Sequence, residues 1–148
     1  MLHVGLDLSR RKLDVCLLFD DGAHVDQLAV APDVDSLRTL ARRIEEAYRE
    51  PVCAVIESMT GARIVHDTFE ACGWSVEIAD AQKVKGLAPL ACKTDKIDSM
   101  VLAVLSHRDL VPAIWLPDPR VAPSASWPAV ASTWSSTSRR SRTGSTRR

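Results

Sequence analysis

Four acidic residues sit where a carboxylate is costly unless something shares its charge: Asp7, Glu57, Asp95 and Asp98. Asp95 and Asp98 lie three apart in the stretch KTDKIDSM, Lys93 to Met100. On a helix that spacing puts both on one face. Asp98 then falls inside the apolar arc of Ile97, Val101, Val104 and Leu105, with Asp95 at its edge and Lys96, Ser99 and Ser106 on the opposite side. A buried carboxylate without a partner is costly, and two together repel. A divalent cation removes both penalties at once. Four hard oxygen donors, without histidine or thiolate, suit Mg2+ or Mn2+. Two such ions about 3.5–4 Å apart can activate a nucleophile and stabilise the leaving oxygen in phosphodiester chemistry. Taken singly, each acid also has an ordinary reading. Asp7 can end a strand at solvent, Glu57 can cap the helix that follows, Asp95 can complement a helix dipole, and Asp98 can pair with Lys93 or an arginine.

These residues need elements to bring them together. LHVGLDLS alternates, with Leu2, Val4, Leu6 and Leu8 on one side and His3, Gly5 and Asp7 on the other. KLDVCLLF reads as a second strand, Asp20 to Gly22 as a tight turn, and AHVDQLAV as a third strand. Then the period changes. Val34, Leu37, Leu40, Ala41, Ile44 and Ala47 fall on one helical face, with Asp33 as N-cap after Pro32. PVCAVIE is a continuous apolar run of the kind buried on both faces, and it ends on Glu57. TGARIVHDTFEACG predicts a helix closed by Gly73, and WSVEIAD a fifth strand. AQKVKGLAPLACK is ambiguous, with Gly86 and Pro89 breaking any long helix. TDKIDSMVLAVLSHRDL predicts another, with Thr94 as N-cap. The order β-β-β-α-β-α-β-α is a meander followed by crossovers, a mixed α/β sheet covered by helices. In such a sheet Asp7 and Glu57 stand at the carboxyl ends of strands, where sites gather.

The 148 residues suffice for one domain with a real core. Formal net charge is zero, yet residues 121–148 hold five arginines and no acid, which leaves 14 basic against 19 acidic residues before them. That last stretch has eight serines, four threonines, two tryptophans and no leucine, with neither helix nor strand period. Two readings fit it: a disordered basic tail, or a segment read out of frame. The four cysteines, Cys16, Cys53, Cys72 and Cys92, make no CxxC pair and have poor metal or disulfide spacing. This predicts a reducing, cytoplasmic setting. No signal-peptide pattern opens the chain, and no apolar run approaches the roughly 20 residues of a membrane helix.

VGLDLSRRKLDV, VIESMTGA and KTDKIDSMVLA, followed by DLVPAIWLP, resemble the N-terminal domain of the DEDD transposases of insertion sequences. These are DNA recombinases related to the Holliday-junction resolvase RuvC. The resemblance covers residues 1–120. It implies an RNase H-like (RuvC-like) fold and a catalytic tetrad of Asp7, Glu57, Asp95 and Asp98 that binds Mg2+ or Mn2+. It also implies DNA transposition with DNA as partner, a structured guide RNA, and a homo-oligomer at full length. In the family a C-terminal domain supplies a nucleophilic serine. None of the serines in 121–148 matches that motif, so the chain alone is expected not to complete strand exchange. Where the family usually has an aromatic residue after the ES-TG motif, this chain has Ala62.

Basic residues flank the acids. Arg10, Arg11 and Lys12 follow Asp7, and Lys83, Lys85, Lys93 and Lys96 precede or flank the aspartate pair. They are candidate phosphate contacts, or alternatively solvated surface charges. Other functional classes compete. One is a non-catalytic nucleic-acid-binding remnant. Another is a stand-alone resolvase-like nuclease. A third is a sugar-kinase-type phosphotransferase, for which GLDLS is suggestive but six glycines are few.

Overall fold

The computed structural model describes residues 1–91 and 97–116. The expectations for Cys92, Lys93, Thr94, Asp95, Lys96 and residues 121–148 lie outside the described residues. The elements are β1 (Leu2–Leu8), β2 (Leu13–Phe19), β3 (His24–Val30), α1 (Val34–Tyr48), β4 (Val52–Glu57), α2 (Ala62–Ala71), β5 (Ser75–Ala79), α3 (Ala81–Ala91) and α4 (Ser99–His107). The strands form one sheet of order β3-β2-β1-β4-β5. β1–β2 and β2–β3 are antiparallel, while β1–β4 and β4–β5 are parallel. Beyond β5, the Asp80 amide donates to the Pro112 carbonyl (2.9 Å) and the Ile114 amide to the Ile78 carbonyl (2.7 Å). The chain after α4 thereby covers the β5 edge, which would otherwise offer unpaired backbone groups.

The alternation in β1 assigns the two faces. A β-carbon on Gly5 would run into the Ser99 carbonyl and come within 2.5 Å of the Ala103 amide. His3, Gly5 and Asp7 therefore face α4. Leu2, Val4 and Leu6, fully buried, face the other way, as does Leu8, which lies against Gly61 at the start of α2. α1 packs against α2, and α2 against β5. α1 begins as its sequence predicts: Asp33 Oδ1 accepts the Ser36 amide at 2.8 Å. Its buried stripe is Leu37, Leu40, Ala41 and Ile44, while Val34 and Ala47 at the ends are exposed. α2 ends as expected, with Gly73 at φ +93° and its amide donating to the Glu70 carbonyl.

Two helical expectations are corrected. Residues 81–91 form a helix despite Gly86 and Pro89. Val84 and Ala88 are buried in one cluster with Val55, Val101, Leu102 and Leu105. That burial outweighs the helix-breaking tendency of a proline close to the helix end. The second correction concerns α4. It starts at Ser99 with Asp98 as its N-cap, so Asp98 precedes the helix instead of standing inside it. Ser99, expected on the polar side, is buried against the sheet, and Ser106 hydrogen-bonds to β1. The helix turns Ser99, Ala103 and Ser106 toward β1. Small side chains are what a close approach over a glycine requires.

The far end of α4 is tied down. The buried His3 shares hydrogen bonds through Nδ1 with Ser106 Oγ (3.0 Å) and through Nε2 with Asp20 Oδ1 (3.3 Å). His107 Nε2 donates to the Asp20 carbonyl at 2.9 Å. α4 thus runs antiparallel to β1, with Ser106 over His3 and Ser99 over Gly5. Its N-terminus points toward the Asp7 end of the strand.

Candidate metal and nucleic-acid site

Asp7 and Glu57 are placed by strand register. The parallel β1–β4 ladder runs through Gly5–Val55 and Leu6–Ile56, and Asp7 and Glu57 are the next residue on each strand. Paired residues share a face. Gly5 and Val55 both face α4, so Asp7 and Glu57 do too, one strand spacing apart at the carboxyl ends of neighbouring parallel strands. Their proximity registers electrostatically. Desolvation pushes the Glu57 carboxyl above its ordinary range, the Asp7 charge pushes it further, and Lys85 opposes both. Of the predicted cations among the described residues, Lys85 is the one whose charge reaches Glu57. Lys83 lies two residues earlier on α3, about 200° around the helix.

Asp98 arrives from the helix layer. Its Oδ1 accepts the Val101 amide at 3.1 Å and starts α4 at the Asp7 end of β1. One carboxylate oxygen serves the helix, which leaves the other for a further partner. Next to it, Ser99 Oγ is buried and has no hydrogen-bond partner among the described residues. A buried hydroxyl without a partner is costly. Asp95 lies outside the described residues.

The register also brings in an acid that sequence inspection passed over. Asp14 on β2 pairs directly with Asp7. Three carboxylates, Asp14, Asp7 and Glu57, thus cross three adjacent strands on one face. The Asp14 charge is met by Lys12 Nζ at 3.0 Å. Alternation in KLDVCLLF could have placed Asp14 on this face, but only the β1–β2 register sets it beside Asp7. Lys12, expected to touch phosphate, therefore has an intramolecular partner already.

Arg10 and Arg11 are exposed on the β1–β2 turn, where Ser9 Oγ donates to the Lys12 carbonyl (2.9 Å) and accepts the Lys12 amide (3.3 Å). Among the described residues, no three His, Cys, Asp or Glu side chains form a ready-made metal cluster. The donor chemistry still fits a hard cation: the acids brought to this end of the sheet offer carboxylate oxygens, and Ser99, which follows Asp98, has a buried hydroxyl without a partner among the described residues. Among the described residues no helix is long and apolar enough to cross a membrane.

A mixed sheet of order β3-β2-β1-β4-β5, flanked by helices and carrying acids at the carboxyl ends of β1 and β4, is an RNase H-like arrangement. Residues 4–121 match the model of the DEDD transposase family, IS110 type, described as transposase. The chain belongs to that family, whose members carry out DNA transposition. No curated protein matches the chain. Among solved structures it is similar to a ROK family protein from Streptococcus pneumoniae TIGR4 in complex with sucrose. That likeness is 14% identical and covers 61% of this chain and 38% of the other, with a TM-score of 0.44. It is too slight to bear on fold or function.

Proposed function

We propose that residues 1–120 are the metal-binding domain of a DNA transposase that acts on DNA phosphodiesters. Asp7, Glu57, Asp95 and Asp98 hold Mg2+ or Mn2+, and Arg10, Arg11 and Lys85 contact the phosphate backbone. One observation carries this reading: Asp7 and Glu57 stand side by side at the ends of parallel strands, with the Glu57 proton held more tightly first by burial and then by the Asp7 charge. Like charges kept adjacent are a cost to the fold, and such costs concentrate at working sites. The family match supports the DNA substrate.

A bound divalent ion would polarise a phosphoryl oxygen and lower the pKa of attacking water or hydroxyl. The chain's own residues do the rest. β1 and β4 fix the two carboxylates in register. Asp98 is held by its capping bond. Lys85 offsets the excess negative charge around Glu57. A structured RNA, a homo-oligomer and a C-terminal serine domain belong to the same proposal, and this chain by itself binds DNA without completing strand exchange.

Mn2+ titration followed by thermal melting tests the metal reading. The unaltered chain should gain stability with Mn2+, and Glu57→Gln or Asp7→Asn should gain little. An equal gain in all three chains would refute it. The non-catalytic remnant predicts the same DNA affinity with and without Mn2+ in all three.

A further inference from the structure

A concavity opens at the same strand ends, on the side of the sheet opposite the acids. It is a half-open cleft of about 500 Å3 lined by Leu8, Ser9, Arg10, Pro32, Met59, Thr60, Gly61, Ile64 and Val65. Clefts of that size hold small, largely apolar groups. Its wall is chiefly aliphatic: Leu8, Pro32, Met59, Ile64 and Val65. Met59 is 44% exposed and Ile64 60%, so two large apolar side chains are left in water. Its rim is cationic and polar. Arg10 has no ion-pair partner among the described residues, and Gly61 starts α2 without a side-chain cap.

The location ties this cleft to the acids. Leu8, Ser9 and Arg10 follow Asp7 directly, and Met59 to Gly61 follow Glu57 after one residue. Much of the cleft is thus built by the segments that leave the strand ends carrying the carboxylates. The rim therefore lies at the same end of the sheet as Asp7 and Glu57, on the other face. A planar base has apolar faces that suit Met, Ile and Pro, and its phosphate suits Arg10 and the α2 amides.

We propose that this cleft receives an unpaired base of the DNA, with Met59 and Ile64 against the base and Arg10 on its phosphate. The proposal rests on the reading of the chain as DNA-binding, but not on bound metal. It makes the preferred substrate a duplex that is locally opened, because extruding a base is least costly where it is already unpaired.

The test is fluorescence anisotropy with the full chain at low salt in EDTA, so that bound cations play no part. The probes are a short matched duplex and the same duplex carrying one unpaired 2-aminopurine. The expected result is about tenfold tighter binding of the unpaired probe, what burying roughly 55 Å2 of apolar surface supplies, together with a change in 2-aminopurine emission. Met59→Ala and Ile64→Ser, both at exposed positions, should abolish the preference and the emission change while leaving matched-duplex affinity intact. Arg10→Ala should weaken both probes alike. Equal affinity for the two probes, or a preference that survives in both cleft variants, would overturn the proposal. So would sedimentation showing that the cleft variants abolish a dimer, because a second copy would then be the occupant. If the preference holds while Glu57→Gln still gains stability from Mn2+, the metal reading alone fails.

Discussion

Gly5 of β1 lies directly beneath the Ser99 carbonyl and the Ala103 amide of α4, with no room for a β-carbon. This contact sets the height of α4 above the sheet and hence the position of Asp98 relative to Asp7. Gly5→Ala would force backbone against backbone, which no rotamer change relieves. We expect a loss of about 3 kcal/mol, the upper part of the overpacking range, and a fall in melting temperature on the order of 10 °C. Circular-dichroism melting checks this; an unchanged melting temperature would mean the helix rides higher than described.

Asp98 has two separable roles. Its capping bond to the Val101 amide stabilises α4, and its charge is the part a cation would use. Asp98→Asn keeps a capping oxygen, so stability without metal should change by only a few tenths of a kcal/mol, whereas Asp98→Ala should cost about 1 kcal/mol. Both variants should bind Mn2+ about tenfold or more weakly if the carboxylate is a ligand. Calorimetric titration beside urea unfolding separates the two effects.

The raised Glu57 pKa makes a signed prediction. The folded protein holds this proton more tightly than the unfolded chain does. The associated stability is complete below the ordinary glutamate pKa and is lost as pH rises through the raised folded value. In EDTA, Glu57→Gln should therefore match the unaltered chain at low pH and become progressively the more stable one across that window. Mn2+ should reverse the order at neutral pH, because the cation must displace the proton to bind. Melting curves against pH, with and without Mn2+, would show both halves. A constant difference at every pH would deny Glu57 its raised pKa.

DNA affinity should fall steeply with salt. If Arg10 contacts phosphate, Arg10→Ala should reduce the slope of log affinity against log salt by about 1. Lys12→Ala should change it less, because Lys12 is engaged with Asp14 at 3.0 Å. Equal slopes for all three chains would place DNA elsewhere on the surface.

Most of the fold was legible because its signals are local. Alternation in LHVGLDLS assigned the faces of β1 correctly, and Asp33 and Gly73 marked helix ends through backbone chemistry that depends on near neighbours alone. The misreadings share a cause. A helical wheel ranks sides by hydrophobicity, so it sent Ser99 and Ser106 to water. The sheet beneath them carries Gly5 and His3, which favour small or hydrogen-bonding partners. α3 stayed ambiguous because Gly86 and Pro89 oppose a helix locally, and its packing against α4 and the sheet outweighs them.

By itself the sequence determined the element order apart from α3, and the strand ends that carry Asp7 and Glu57. Its motifs resembled the family to which the chain belongs. Periodicity, capping and turn chemistry act over a few residues and are written in the chain directly. Tertiary structure alone decided that Asp7 and Glu57 are neighbours, that Asp14 joins them, that Asp98 caps α4 and does not lie within it, and that an apolar cleft opens behind the acids. Those relationships depend on strand register and on how closely a helix can approach a sheet. Contacts between residues far apart in the chain set both.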